Sequence, residues 1–249
     1  MRIGVQLYSL KNEIKDGKSL SEILKFVKDN GAETAELAGS YYGLTPREVG
    51  KIADDNGIKI VSTHTKFERF LKEPEIVVEE HLVLGAETAG IPSLPERYYT
   101  GEGAAEYSGI LNGLSEKFKK SGLYIHHHNH SKEFKKIGGK YWLDAVKDLT
   151  DPAVKFCVDA YWAVYSGVNL EAFLPTLSGR LKLVHVKDLK KNFFGMKKNV
   201  PAGDGIIDFK KILPLAEKTG AAEAIIELEK MKDPKEAVKK SLFYIANIN

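Results

Sequence analysis

The sequence is poor in cysteine: Cys157 stands alone among 249 residues. No internal disulfide can form, which fits a reducing compartment. Long apolar runs are missing as well, and none approaches the roughly 18–20 residues needed to cross a membrane. Met1 leads directly into Ile3-Gly4-Val5-Gln6-Leu7, without the basic stretch and apolar core of a secretory leader, so a soluble, cytoplasmic protein with no membrane partner is expected. Charge of one sign is scarce: 37 Lys and Arg face 34 Asp and Glu, and a net charge of +3 is too mild to suggest nucleic acid. Lysines such as Lys117, Lys119 and Lys120 read as a solvated helix face. No glycine-rich phosphate fingerprint follows the first apolar run, where Tyr8-Ser9-Leu10 stand. No stretch rich in Pro, Ser or Gly divides the chain, so a single domain over 1–249 is expected, and 43% hydrophobic residues suffice to give it a sizeable core.

Short apolar runs alternate with longer amphipathic ones. Strands are expected at 3–7, 34–37, 58–62, 91–94, 123–128, 154–158, 181–186 and 224–228. Helices are expected at 20–29, from 45 to 56, and at 74–89, 104–120, 140–149, 170–177, 209–218 and 234–248. In the first helix Leu20, Ile23, Leu24 and Val27 repeat with the helical period, and Asn30-Gly31 closes it. Thr45-Pro46 opens the second, a cap residue before a first-turn proline. The 91–94 strand is the weakest of the eight, because prolines flank it. Eight strands each followed by a helix argue for a parallel (β/α)₈ barrel, a TIM barrel, with a doubly wound open sheet as the alternative.

In such barrels the C-terminal strand ends carry the active site. Strand five ends in His126-His127-His128-Asn129-His130, followed by Glu133; strand six ends in Asp159. Strand seven ends in His185 and Asp188, strand eight in Glu227 and Glu229. Apolar strands ending in acids and imidazoles are hard to explain by packing, since buried unpaired charges cost several kcal/mol each. One divalent cation supplies the counter-charge. Three carboxylates and one imidazole suit Mn²⁺, Mg²⁺, Co²⁺ or Zn²⁺. Within the histidine run, alternation turns His126 and His128 one way and His127 the other. His128 and His130 are expected to hydrogen-bond a substrate and not to bind the metal.

Several segments resemble the sugar phosphate isomerase/epimerase family, within the xylose isomerase-like barrels. They are Gly4-Val5-Gln6-Leu7-Tyr8-Ser9-Leu10, Glu36-Leu37-Ala38-Gly39, Val61-Ser62-Thr63-His64 and His128-Asn129-His130-Ser131-Lys132-Glu133-Phe134. Asp159-Ala160-Tyr161-Trp162, Val184-His185-Val186-Lys187-Asp188, Pro201-Ala202-Gly203-Asp204-Gly205 and Ile226-Glu227-Leu228-Glu229 continue the match in order. The resemblance implies that Glu133, Asp159, His185 and Glu227 bind the metal. It also implies that Glu133 and Glu227 act as acid and base on a bound ketose, beside a small carbohydrate that Tyr8, His64, His128, His130, Trp162 and Lys187 would contact.

Departures narrow the reaction. The related apurinic-site endonucleases bind three zinc ions through further histidines, where this chain has Trp162 and Leu189-Lys190. A second set of acids for hydride transfer is not evident either. Isomerisation or epimerisation by proton transfer through an enediolate is therefore expected. A lyase or dehydratase, a keto-glycoside-cleaving enzyme, and a non-catalytic sugar-binding barrel are the alternatives. An oligomer is compatible with the sequence. Asp204 would repel a phosphate in the loop after strand seven.

Overall fold

A computed structural model describes residues 1–248. Among them, eight parallel strands close into a barrel: β1 (Arg2–Gln6), β2 (Thr34–Leu37), β3 (Lys59–His64), β4 (Thr88–Ile91), β5 (Tyr124–His128), β6 (Lys155–Asp159), β7 (Leu181–Val186) and β8 (Glu223–Ile226). Each strand pairs with its neighbours in chain order, and β1 closes onto β8 from Arg2↔Glu223 to Val5↔Ile226. The (β/α)₈ barrel read from the alternation is the observed fold, and the open sheet is excluded.

The helices pack their predicted faces onto the barrel. Gly17–Asp29 buries Leu20, Ile23, Leu24 and Val27, and its first turn is held by a capping box between Asp16 and Ser19. Pro46–Asp55 begins with the same device, Thr45 with Glu48. Large aromatic side chains, among them Trp142, Tyr98, Tyr107 and Phe118, fill the space between barrel and helices. No helix among the described residues is long and apolar enough to cross a membrane.

Several boundaries differ from the sequence reading, each for a local reason. The fourth strand is Thr88–Ile91, three residues earlier than expected. Pro92 lacks the N–H that would continue the ladder. The preceding helix stops at Leu84 because Gly85 turns left-handed at φ 67°. Pro175 splits the 170–177 helix into Leu170–Phe173 and a tighter turn, Leu174–Leu177. Two small hairpins decorate the C-terminal face, Lys136–Ile137 with Lys140–Tyr141 and Asp188–Lys191 with Lys197–Val200. Alternation along the strands then sends one set of polar side chains to that face. Cys157, Leu183 and Ile225, two positions before Asp159, His185 and Glu227, form a small apolar cluster with Val61 behind them.

Candidate functional site

Four strand ends converge. One ligand-type atom from each of His128, Asp159, His185 and Glu227 lies within 4.8 Å of the others, and all four side chains are buried. Asp159 caps the short helix behind it: Oδ1 accepts from the Trp162 N–H at 2.9 Å, while Oδ2 has no hydrogen-bond partner among the described residues. His128 Nδ1 is also without one. His185 is held from both sides, with Nδ1 2.9 Å from Glu227 Oε2 and Nε2 2.7 Å from Glu36 Oε2. Burial opposes charge on this ring, but the Cys157 sulfur, Glu36 and Glu227 outweigh it and raise its pKa well above 6.5.

Lys187, the residue after β7, lies beside this group and is 1% exposed. Its Nζ is 3.8 Å from Asp159 Oδ2 and 4.0 Å from Glu227 Oε2, and it pairs with Glu229. Burial pushes Asp159 up to about 7 in spite of Lys187. Glu227 goes the other way: burial is overcome by Lys187 and His185, and its pKa falls below the usual carboxylate range. Two orphaned ligand atoms beside an imidazole and a carboxylate are the arrangement a cation would complete, so the residues fit a divalent metal.

Glu133 is not brought into that group. Its Oε1 accepts from the Tyr99 hydroxyl at 2.9 Å and lies 3.5 Å from His127 Nε2, and its Oε2 accepts from the His130 N–H at 2.8 Å. The chain turns after Asn129, whose Oδ1 accepts from the Asp159 N–H at 3.1 Å, and Glu133 closes that turn from behind. His128 occupies the fourth position instead. His127 points away from the barrel interior, toward Tyr107 at 2.9 Å, as strand alternation requires.

Asp188 is also committed elsewhere. It accepts from the N–H groups of Leu189, Gly203, Gly205 and Ile207, tying the loop after β7 to the strand end. A Cβ on Gly205 would fall 2.2 Å from Asp188 Oδ1, so the close approach needs glycine there. Asp204 pairs with Lys240.

The group opens into a cavity of about 320 Å³ lined by Tyr8, His64, His128, His130, Trp162 and Glu227, among others. That volume is at the small end for a small-molecule site. Every contact residue expected from the sequence is on its wall except Lys187, which pairs with the wall residue Glu229. The imidazoles crowd together, with His128 4.7 Å from both His64 and His185 and 4.9 Å from His130, centroid to centroid. Burial lowers the pKa of His64 and His130 and takes His128 well below 6.5, so these three rings are neutral near pH 7. An adjoining cavity of about 360 Å³, at the β1 and β8 edge between Tyr8 and Met231, contains none of the four clustered residues.

Glu36 did not emerge from the sequence as a site residue beyond its place in a matched segment. It is buried, accepts from Gln6 Nε2 at 2.8 Å, and holds His185 through Nε2. Such a carboxylate behind a metal-ligating histidine fixes the ring and its tautomer. Burial would raise its pKa, but His64 and His185 bring it down to about 2. An acid within Thr34-Ala35-Glu36-Leu37, a strand otherwise suited to burial, was the available signal.

The profile described as xylose isomerase-like TIM barrel matches residues 24–248. Among solved structures, a sugar phosphate isomerase/epimerase from Parabacteroides distasonis ATCC 8503 is 28% identical, covering 99% of this chain and 95% of that one with a TM-score of 0.85. A second structure of that description from the same organism is 25% identical, covering 99% and 98% with a TM-score of 0.81. The IolI protein with a bound zinc atom shares the fold at 15% identity, over 100% and 98% of the two chains with a TM-score of 0.77. The comparison with curated proteins yields no match. With a closed eightfold barrel, polar strand ends gathered on one face and a profile spanning nearly all of its length, this chain belongs to the xylose isomerase-like TIM barrel family.

Proposed function

We propose that the chain is a metal-dependent sugar isomerase or epimerase that moves a proton on a ketose or keto-sugar through an enediolate. The observation that carries this reading is the convergence of His128, Asp159, His185 and Glu227 at the base of a polar-walled cavity. Those four side chains would hold one divalent ion, which when bound supplies Lewis-acid polarisation of a substrate oxygen.

Glu227 is on the cavity wall and ionised, so its free carboxylate can take a proton from the carbon beside a carbonyl, while the Lys187 and His185 charges that keep it ionised also weaken it as a base. The family resemblance pairs it with Glu133. Because Glu133 is engaged by Tyr99 and the His130 N–H, we place the return of the proton on the Glu227 carboxyl that took it, which gives it to the neighbouring carbon on the same face and is ionised again. Lys187 stabilises negative charge developing on the substrate oxygen, through an ammonium held beside Asp159 and Glu227. Trp162 and Tyr8 supply apolar surface against which a sugar ring packs.

The test is deuterium wash-in from D₂O, followed by NMR over a panel of ketoses and keto-sugars with the metal-loaded protein. Exchange at the carbon beside the carbonyl is expected, and Glu227→Gln should abolish it while the variant stays folded. Tight sugar binding without exchange in the wild type, or full exchange in Glu227→Gln, would overturn the assignment.

A further inference from the structure

A second set of ligand-type atoms adjoins the first and shares no residue with it, although one of its members, His64, also groups with His128 and His185. One atom from each of Glu36, His64 and His126 lies within 4.8 Å of the others. Glu36 Oε1, His64 Nε2 and His126 Nε2 are all buried without a hydrogen-bond partner among the described residues. Three unsatisfied polar atoms in one place are costly, at about 1–3 kcal/mol each, unless something they face completes them.

Barrel register explains how they meet. His64 on β3 pairs with Gly90 on β4, and Gly90 pairs with His126 on β5. The two imidazoles therefore flank a residue with no side chain. A Cβ on Gly90 would lie 2.4 Å from His126 Nε2, so glycine is what admits the ring. Thr88 Oγ1 meets His126 Nδ1 at 2.9 Å, which orients the ring and leaves Nε2 free. That nitrogen lies 4.0 Å from Glu36 Oε1, and His64 Nε2 lies 3.6 Å from Glu36 Oε2. Neighbouring donors in a tetrahedral zinc site with bonds near 2.0–2.1 Å are about 3.4 Å apart, so the three donors, all within 4.8 Å of one another, would draw inward on binding, His126 Nε2 and Glu36 Oε1 by roughly half an ångström. Ser62, which pairs with Glu36 in register and whose Oγ is also unpartnered, is a candidate fourth donor.

We infer that Glu36, His64 and His126 form a second, inner site for a divalent transition-metal cation, with Zn²⁺ best suited to two imidazoles and a carboxylate. Only His64 of the three borders the cavity, so the inner ion sits behind the reacting substrate. It fixes Glu36, and through Glu36 the ring of His185. This also changes what the sequence suggested, namely a single ion. The histidine run contributes one member to each group, His128 to the outer and His126 to the inner.

The test is metal stoichiometry. Wild type and variants are stripped with chelator, reloaded with Zn²⁺, freed of excess by gel filtration and analysed by mass spectrometry of the metal. Two zinc ions per chain are expected for wild type, one each for His126→Asn and Asp159→Asn, and none for the double variant. One ion in wild type that survives His126→Asn would overturn the inner site. Loss from His126→Asn with full retention in Asp159→Asn would instead sink the outer assignment and leave the inner one standing. Should His126→Asn fail to fold, a zinc anomalous map of wild-type crystals decides alone. A peak between Glu36, His64 and His126 supports the site, and its absence in zinc-loaded crystals refutes it.

Discussion

Replacing Lys187 by methionine separates two sources of positive charge at the outer group. Lys187 is almost wholly buried, and its ammonium lies 3.8 Å from Asp159 Oδ2 and 4.0 Å from Glu227 Oε2. Lys187→Met keeps most of the stem and removes the charge. In metal-free protein this leaves buried carboxylates facing one another, and breaking a buried pair from one side costs about 3–5 kcal/mol. Asp159, already up at about 7, takes up a proton in response, which keeps the loss toward the lower end below that pH. For a chain of this size each kcal/mol moves the melting midpoint by roughly 2–4 °C, so a fall of roughly 6–20 °C is expected.

With a divalent ion in the group the comparison reverses. Two unit charges near 4 Å interact by about 4 kcal/mol at an effective dielectric of 20, an upper bound here because Glu229 partly neutralises the ammonium. Removing the competing cation therefore tightens ion binding, and each tenfold is about 1.4 kcal/mol. The assay is thermal melting of both proteins in chelator and in saturating zinc, with calorimetric titration for affinity. Lys187→Met should lose most without metal, recover most of the deficit with it, and bind the outer ion at least tenfold more tightly. A deficit of equal size with and without zinc, together with unchanged affinity, refutes the placement of an ion among His128, Asp159, His185 and Glu227.

Two further outcomes follow from the same geometry. Burial raises the Asp159 carboxyl from 3.8 to about 7 in metal-free protein, so its contribution to stability is present below pH 4 and is lost as pH rises through about 7. Asp159→Asn should flatten that part of the stability profile in chelator, measured from denaturant midpoints, and wild-type metal uptake should strengthen up to about pH 7 as the ion displaces the proton; an unchanged slope in the variant would exclude Asp159 as the titrating group. Glu133→Gln should destabilise the fold by about 1–3 kcal/mol, by disturbing the acceptors of the Tyr99 hydroxyl and the His130 N–H, with zinc content at the wild-type value. Loss of an ion from that variant would return Glu133 to the ligand set.

How far the site could be read from the sequence depended on distance from the sheet. The barrel was legible because Leu20, Ile23, Leu24 and Val27 repeat with the helical period and because Asn30-Gly31 and Thr45-Pro46 punctuate the helices. β4 was misplaced because Thr88-Ala89-Gly90 has little of the bulk that marks a strand, and its glycine is there for the ring of His126. Period-two alternation gives direction only while the ladder lasts. Asp159 ends β6, His185 is in β7 and Glu227 is the first residue past β8, so all three face where alternation sends them. Glu133 comes five residues after the end of β5, where hydrogen bonds to Tyr99 and to the loop backbone decide its direction, and residue identity in a motif says nothing of those. Glu36 shows the opposite limit. Alternation places it on the same face as the site, but its partners Gln6 and His185 are 30 and 149 residues away, so only closure of the barrel reveals that one carboxylate meets both. Both cases locate the missing information in tertiary contacts, and such contacts also decide whether His126 and His128 serve two ions or one.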